Sequence, residues 1–169
     1  MTHFVTIVVA DTEKQVDNLL EPFSEYTDVE PYFRTVDLEA MANYYNKVID
    51  PTPENLKEHV KDWTDYDGII VDGKLGYIST FNPNSEYDWY VIGGRWEDIV
   101  PGNKCKVSEI PKYFTEYLPS VIVTPDGWHA SKDWSWWGMY NNIDGGDEEV
   151  AAIMEKYKDR NCFVVDCHI

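Results

Sequence analysis

Residues 162–169 read Cys162-Phe163-Val164-Val165-Asp166-Cys167-His168-Ile169, and this run closes the chain. It is short, rich in β-branched and aromatic residues, and follows a helical pattern, so it reads as a strand. Its two-residue period puts Phe163, Val165, Cys167 and Ile169 on one face and Val164, Asp166 and His168 on the other. Working outward, the helix before it carries Val150, Ile153, Met154 and Tyr157 on one stripe, with Asp147 expected as its cap. At the other end of the chain, His3–Ala10 (HFVTIVVA) has the same strand composition. Asp11 and Thr12 then offer a cap to a helix whose apolar stripe is Val16, Leu19, Leu20 and Phe23.

Between these ends lie Tyr87–Ile92 and Ser120–Thr124, both strand-like. Pro125-Asp126-Gly127 follows as a turn. Residues 25–80 read as an insertion: a helix over Leu38–Ile49, a second over Pro53–Trp63 capped by Thr52, and a hairpin in Gly68–Thr80 turning at Asp72-Gly73. With the insertion set aside, the order is strand, helix, strand, strand, helix, strand. That is the βαββαβ pattern of a ferredoxin-like α+β sandwich. The expectation is one domain over residues 1–169, interrupted by the 25–80 insertion. Its terminal strands would be adjacent in mid-sheet, and both helices would lie on one face.

Asp and Glu number 31 against 14 Lys and Arg, a net charge of −17. Phosphate affinity comes from clustered cations, so direct nucleic-acid binding is excluded by this reading; an acidic ligand-binding protein or a partner for a basic protein is not. No apolar run approaches the ~20 residues of a membrane span. The first residues already read as a strand, so no signal peptide and a cytoplasmic location are expected. The three cysteines give no disulfide framework. Cys162 and Cys167 would stand roughly 16 Å apart along a strand.

The chemistry gathers in Asn82–Trp96, NPNSEYDWYVIGGRW. A turn leads into an aromatic strand that stops at Gly93-Gly94 and delivers Arg95 and Trp96 at a bend. Arg95 is a fork-shaped cation suited to a phosphate or carboxylate. Trp89, Trp96, Trp128, Trp136 and Trp137 offer faces for a flat ring. Asp88 and Tyr90 lie on one side of the strand, and Trp89 on the other. On the terminal strand, Asp166 beside His168 has the makings of an acid–base pair on the sheet's open face. His129, after the turn, is the second histidine assigned to the site. His3 and His59 are read as ordinary strand or surface residues. Imidazole, carboxylate and thiolate from His129, His168, Asp166 and Cys167 would suit a metal, but no Cys-x-x-Cys or His-x-x-x-His spacing marks one. The reading therefore assigns no metal and names no cofactor.

Taken together, NPNSEYDWYVIGGRW, TPDGWH, WWGM and the terminal VVDCHI resemble an uncharacterised family of phage and prophage proteins. The likeness spans the first strand and most of residues 80–169. It implies an accessory protein made in a bacterial host cytoplasm, and it brings no reaction with it. Two functions are expected from the residues. One is a pocket for a small anionic, nucleotide-like ligand, with His168, Asp166 and His129 placed for catalysis. The other is an acidic interaction protein, such as a DNA mimic, that inhibits a basic host nucleic-acid-binding or defence protein.

Overall fold

The computed structural model describes residues 2–45, 50–134 and 139–169. The chain divides into two compact units, Met1–Thr27 with Asn82–Ile169, and Asp28–Phe81. Among the described residues the strands are β1 (His3–Val8), β2 (Tyr32–Thr35), β3 (Ile69–Val71), β4 (Lys74–Ser79), β5 (Trp89–Ile92), β6 (Lys104–Lys106), β7 (Val121–Thr124), β8 (Gly127–Ala130), β9 (Lys132–Trp134), β10 (Tyr140–Asn142) and β11 (Asn161–His168). The α-helices are α1 (Glu13–Leu20), α2 (Leu38–Tyr44), α3 (Pro53–Leu56), α4 (Val60–Thr64), α5 (Ile110–Tyr113) and α6 (Gly146–Lys156). The class is α+β. No helix among the described residues is long and apolar enough to cross a membrane.

The first unit is built on a mixed sheet ordered β5-β11-β1-β7-β8, with β6 also pairing to β11. The terminal strands are antiparallel neighbours, in register from His3 opposite His168 to Val8 opposite Phe163. On its other edge β1 runs parallel to β7, and β7 turns through Pro125 and Asp126 into β8.

Both faces of the central strands are buried, which explains their almost unbroken apolar composition. Phe4, Val8, Val121, Val123, Phe163 and Val165 pack with Val16 and Leu20 of α1. Val5, Ile7, Val9, Ile122, Cys162 and Val164 pack with Val150 of α6 and Ile110 of α5. The helices thus cover opposite faces of the sheet, which corrects the expectation that both lie on one. The odd-numbered positions of β1 are as apolar as the even-numbered ones, and each set needs its own cover. Burying one such Val, Leu or Ile contributes about 1.5–3 kcal/mol, so neither face is left open.

Local signals set the helix ends. Thr12 and Gln15 form a capping box at α1: the Thr12 hydroxyl accepts from the Gln15 amide at 3.3 Å, and the Gln15 side chain accepts from the Thr12 amide at 3.3 Å. α6 begins earlier than Asp147, the expected cap. Its N-cap is Gly145 at φ +72°. Gly146 follows because a Cβ there would lie 2.6 Å from the Ser131 Cα.

In the second unit, β2, β4 and β3 form an antiparallel sheet in that order. Asp72 and Gly73, at φ +50° and +74°, make the β3–β4 turn. Leu75 and Tyr77 pack against Met41, Leu56 and Val60 of the unit's helices. The helix expected over Leu38–Ile49 is described to Tyr44, and residues 46–49 lie outside the described residues. The Pro53–Trp63 stretch is two short α-helices joined by a 3-10 turn over Lys57–His59.

Candidate functional site

The NPN turn fixes how the chain enters β5. Asn82 is buried, and its side-chain amide donates to the carbonyls of Pro22 and Ser24, each at 2.8 Å. The Glu86 amide donates to the Phe23 carbonyl and the Glu25 amide to that of Tyr87. Trp89 thereby lies opposite His168, and Val91 opposite Asp166, on the outer edge of β11. Directly opposed residues share a face of the sheet, so Trp89, His168, His3 and Asp166 rise from the same side.

Two histidine–aspartate pairs meet there. His3 Nδ1 lies 2.8 Å from Asp166 Oδ1. His168 Nδ1 lies 2.6 and 2.8 Å from the two oxygens of Asp88. The imidazole centroids are 4.9 Å apart, nearly perpendicular. The Trp89 indole stacks on His168 at 4.7 Å and meets the edge of His3 at 5.3 Å. Asp166 and His168 are 2% and 4% exposed, so they do not sit on an open face as expected. A carboxylate at that depth needs donors. Among the described residues Asp166 has two, the His3 ring and the Arg95 backbone amide, the latter 3.0 Å from Oδ2. The Asp88 carboxylate likewise accepts from the Trp89 amide at 2.7 Å.

The glycine pair makes this close approach feasible. Gly94 has φ +52°, and a Cβ on it would lie 2.4 Å from the Asp166 Cβ and 2.5 Å from Oδ2. Gly93, at φ +77°, abuts the Asn103 side chain in the same way. The 3-10 turn Gly94–Trp96 then carries Arg95 outward. Its guanidinium is exposed and has no carboxylate partner among the described residues, although the chain is strongly acidic.

Of the residues singled out in the sequence, Asp88, Trp89, Gly94, Arg95, Asp166 and His168 are brought together, with Gly93 at the bend. Tyr90 lies on the other face, and its hydroxyl donates to Asp17 of α1. Trp128 is also on that face, among Phe4, Phe23 and Tyr87. Trp96 turns inward against the α6-side core, its Nε1–H 3.4 Å from the Tyr117 hydroxyl. His129 is on β8, three strands from β11, and its Nδ1 is 2.7 Å from Glu149 of α6. Cys167 belongs to the α1-side core, where burial pushes its thiol up to about 12. Trp136 and Trp137 lie outside the described residues. Among the described residues no three His, Cys, Asp or Glu side chains converge as metal ligands would.

His3 is the member that sequence reasoning passed over. The antiparallel register of the terminal strands is what brings it opposite His168. Residues near Trp128 line a separate open cleft of about 400 Å³, with Glu86, Lys132, Asp133 and Glu149 among its walls. Glu86 keeps an exposed surface there, yet desolvation, aided by Asp133, raises its carboxyl to about 6. Comparison with family models, with curated proteins and with solved structures finds no match.

The chemical capacity of the cluster follows from its hydrogen bonds. A carboxylate accepts the Nδ1 proton of each imidazole and leaves Nε2 as the nitrogen free to take or give a proton. Fixing the tautomer through the far nitrogen is how a carboxylate prepares histidine for general acid–base work.

Proposed function

We propose that the protein binds a small anionic, nucleotide-like ligand beside the His3–Asp166 and His168–Asp88 pairs and is equipped to move protons on it. The observation that carries this reading is the pair of adjacent imidazoles, each oriented by its own carboxylate. Packing alone requires neither the second carboxylate nor the second ring. Arg95 supplies the charge complement: an exposed guanidinium, unpaired among the described residues, on the same residue whose backbone amide holds Asp166. Trp89, 43% exposed over His168, supplies a ring face for a base. His129 and Trp128 have no part in this version of the site.

The test is a thermal-shift screen against nucleotides, cyclic nucleotides and ADP-ribose derivatives, with Arg95→Ala and His168→Ala alongside. A binder at 100 times its Kd contributes about 2.7 kcal/mol, which reads as a shift of several degrees. The expected result is a shift that disappears in Arg95→Ala while that variant melts normally without ligand. A shift that is equal in wild type and Arg95→Ala would remove Arg95 from the site, and no shift with any compound would sink the ligand reading.

The net charge of −17 favours a second reading, an acidic protein that captures a basic host protein. Its mark is binding that weakens steeply with salt and survives Arg95→Ala. The phage-accessory context and a bacterial cytoplasm belong to this same proposal and rest on the motif resemblance. The finer fold assignment is part of the proposal too, and it rests on the order of strands and helices in the sequence. The adjacent terminal strands are those of a ferredoxin-like sandwich, while the parallel β1–β7 ladder and the helices on opposite faces depart from that plan.

A further inference from the structure

Cys105 and Cys162 face each other across two antiparallel strands. They are direct partners in the β6–β11 register, and their sulfurs lie 4.0 Å apart as free thiols. Directly opposed residues of an antiparallel pair have Cα atoms about 4.5–5.5 Å apart, inside the window a disulfide needs. The sulfurs have only about 2 Å to close, which side-chain rotation supplies without moving the strands. Cys105 is partly exposed, whereas Cys162 is buried in the core.

We propose that Cys105 and Cys162 form a reversible disulfide by exchange with a low-molecular-weight disulfide of the glutathione class. The Cys105 thiolate attacks one sulfur of the small disulfide, forms a mixed disulfide and releases one small thiolate. Cys162 then gives up its proton to that thiolate and attacks the Cys105 sulfur. This forms the Cys105–Cys162 bond and expels the second small thiolate, which takes a proton from water. Two protein thiols are oxidised, and one small disulfide is reduced to two thiols.

The environments assign the order of attack. The hydrogen bond between the two sulfurs and, to a lesser degree, the nearby Lys112 hold the Cys105 thiol below its ordinary range. Cys162 is pushed up by that same bond and by burial. It becomes the nucleophile only once Cys105 is capped and a sulfur stands beside it. Cys167 is buried on the α1 side, away from this pair.

The bond would change one segment in particular. Residues 95–105 leave β11 at Asp166, where the Arg95 amide is bonded, and return to it at Cys162. Oxidation makes the second attachment covalent and so tightens the segment that presents Arg95. That consequence rests on the proposed ligand site, whereas formation of the bond does not.

The test equilibrates the whole protein with glutathione buffers from reducing to oxidising. Free thiols are then alkylated, and the linked peptides are mapped by mass spectrometry. The expected result is one intramolecular link, between the Cys105 and Cys162 peptides, with Cys167 alkylated after unfolding. The oxidised form should melt roughly 5–10 °C higher, and the gain should vanish with dithiothreitol. Cys105→Ser should remove both the link and the gain. Cys162→Ser, if it folds, should stop at a mixed glutathione adduct on Cys105. Full alkylation of Cys105 and Cys162 in the most oxidising buffer would overturn the proposal, as would a link through Cys167 or between two chains.

Discussion

Gly94→Ala tests whether the Gly94–Arg95 peptide holds Asp166 in place. Two effects add at this position. The first is the left-handed backbone, φ +52°, which costs a side-chain-bearing residue about 1 kcal/mol relative to glycine. The second is contact: the new methyl would sit 2.4 Å from the Asp166 Cβ. Reaching ordinary van der Waals separation moves the peptide by about 1 Å. A shift of that size takes the Arg95 amide, now 3.0 Å from Oδ2, out of bonding range. Losing a hydrogen bond to a buried charged acceptor costs about 1.5–3 kcal/mol.

Gly102→Ala is the control, because Gly102 has φ +67° and nothing within 4 Å of its Cβ position. It should lose about 1 kcal/mol, and Gly94→Ala about 1.5–3 kcal/mol more. Denaturant unfolding followed by tryptophan fluorescence is a suitable assay, because six of the seven tryptophans lie in residues 82–169. Amide exchange at Arg95 should be slow in the wild type and fast in Gly94→Ala. If the two alanine variants lose the same stability and Arg95 stays protected, the account of the Gly-Gly bend is wrong.

Glu86 has a folded-state carboxyl raised to about 6, against an ordinary value of 4.5, so the fold favours its protonated form. That contribution is full below 4.5 and is lost as pH rises through 6. Glu86→Gln should therefore raise the melting temperature at pH 8, with the gain shrinking as pH falls from 6 towards 4.5; a constant gain across that range would refute the assignment. Asp88→Ala leaves His168 Nδ1 without its acceptor and should cost about 1–3 kcal/mol. It should also shift the ¹⁵N resonance of that nitrogen, and an unchanged resonance would mean that the pair does not persist in solution. Leu20→Ala empties a fully buried site under α1 and should cost about 2–5 kcal/mol in urea unfolding, whereas a loss below 1 kcal/mol would mean that α1 does not seal this face.

Much of the first unit was legible in its residues. The apolar runs His3–Ala10 and Cys162–Ile169 announced strands, and both core helices showed their stripes at the expected spacing. What misled was the face assignment. Asp166 and His168 looked like solvent-facing residues because polar side chains on an alternating strand usually are. The same alternation on β1 places Val5, Ile7 and Val9 on that face, a sign that it needed cover. The His3 pairing follows from strand order and register, which are tertiary facts, and no local pattern around Thr2-His3-Phe4 encodes it. The Cys105–Cys162 pairing was less accessible still. β6 is the three residues Lys104-Cys105-Lys106, too short to show a period, and it is a strand only because β11 offers it an edge. Gly93-Gly94, by contrast, was correctly marked as a special bend, although the close approach it permits is to an aspartate of the protein itself.

The bond between His3 and Asp166 joins residues 163 positions apart. On a ribosome adding about 5–20 residues per second, His3 waits roughly 8–30 s before its carboxylate has even been made. β1 meanwhile has β7 available as a parallel neighbour, but neither β11 nor, through β11, β5 can dock. Nascent chains stalled before residue 166 would therefore carry both histidine-bearing and arginine-bearing segments without an assembled cluster. Synthesis of β11 is the step that brings the paired imidazoles into being.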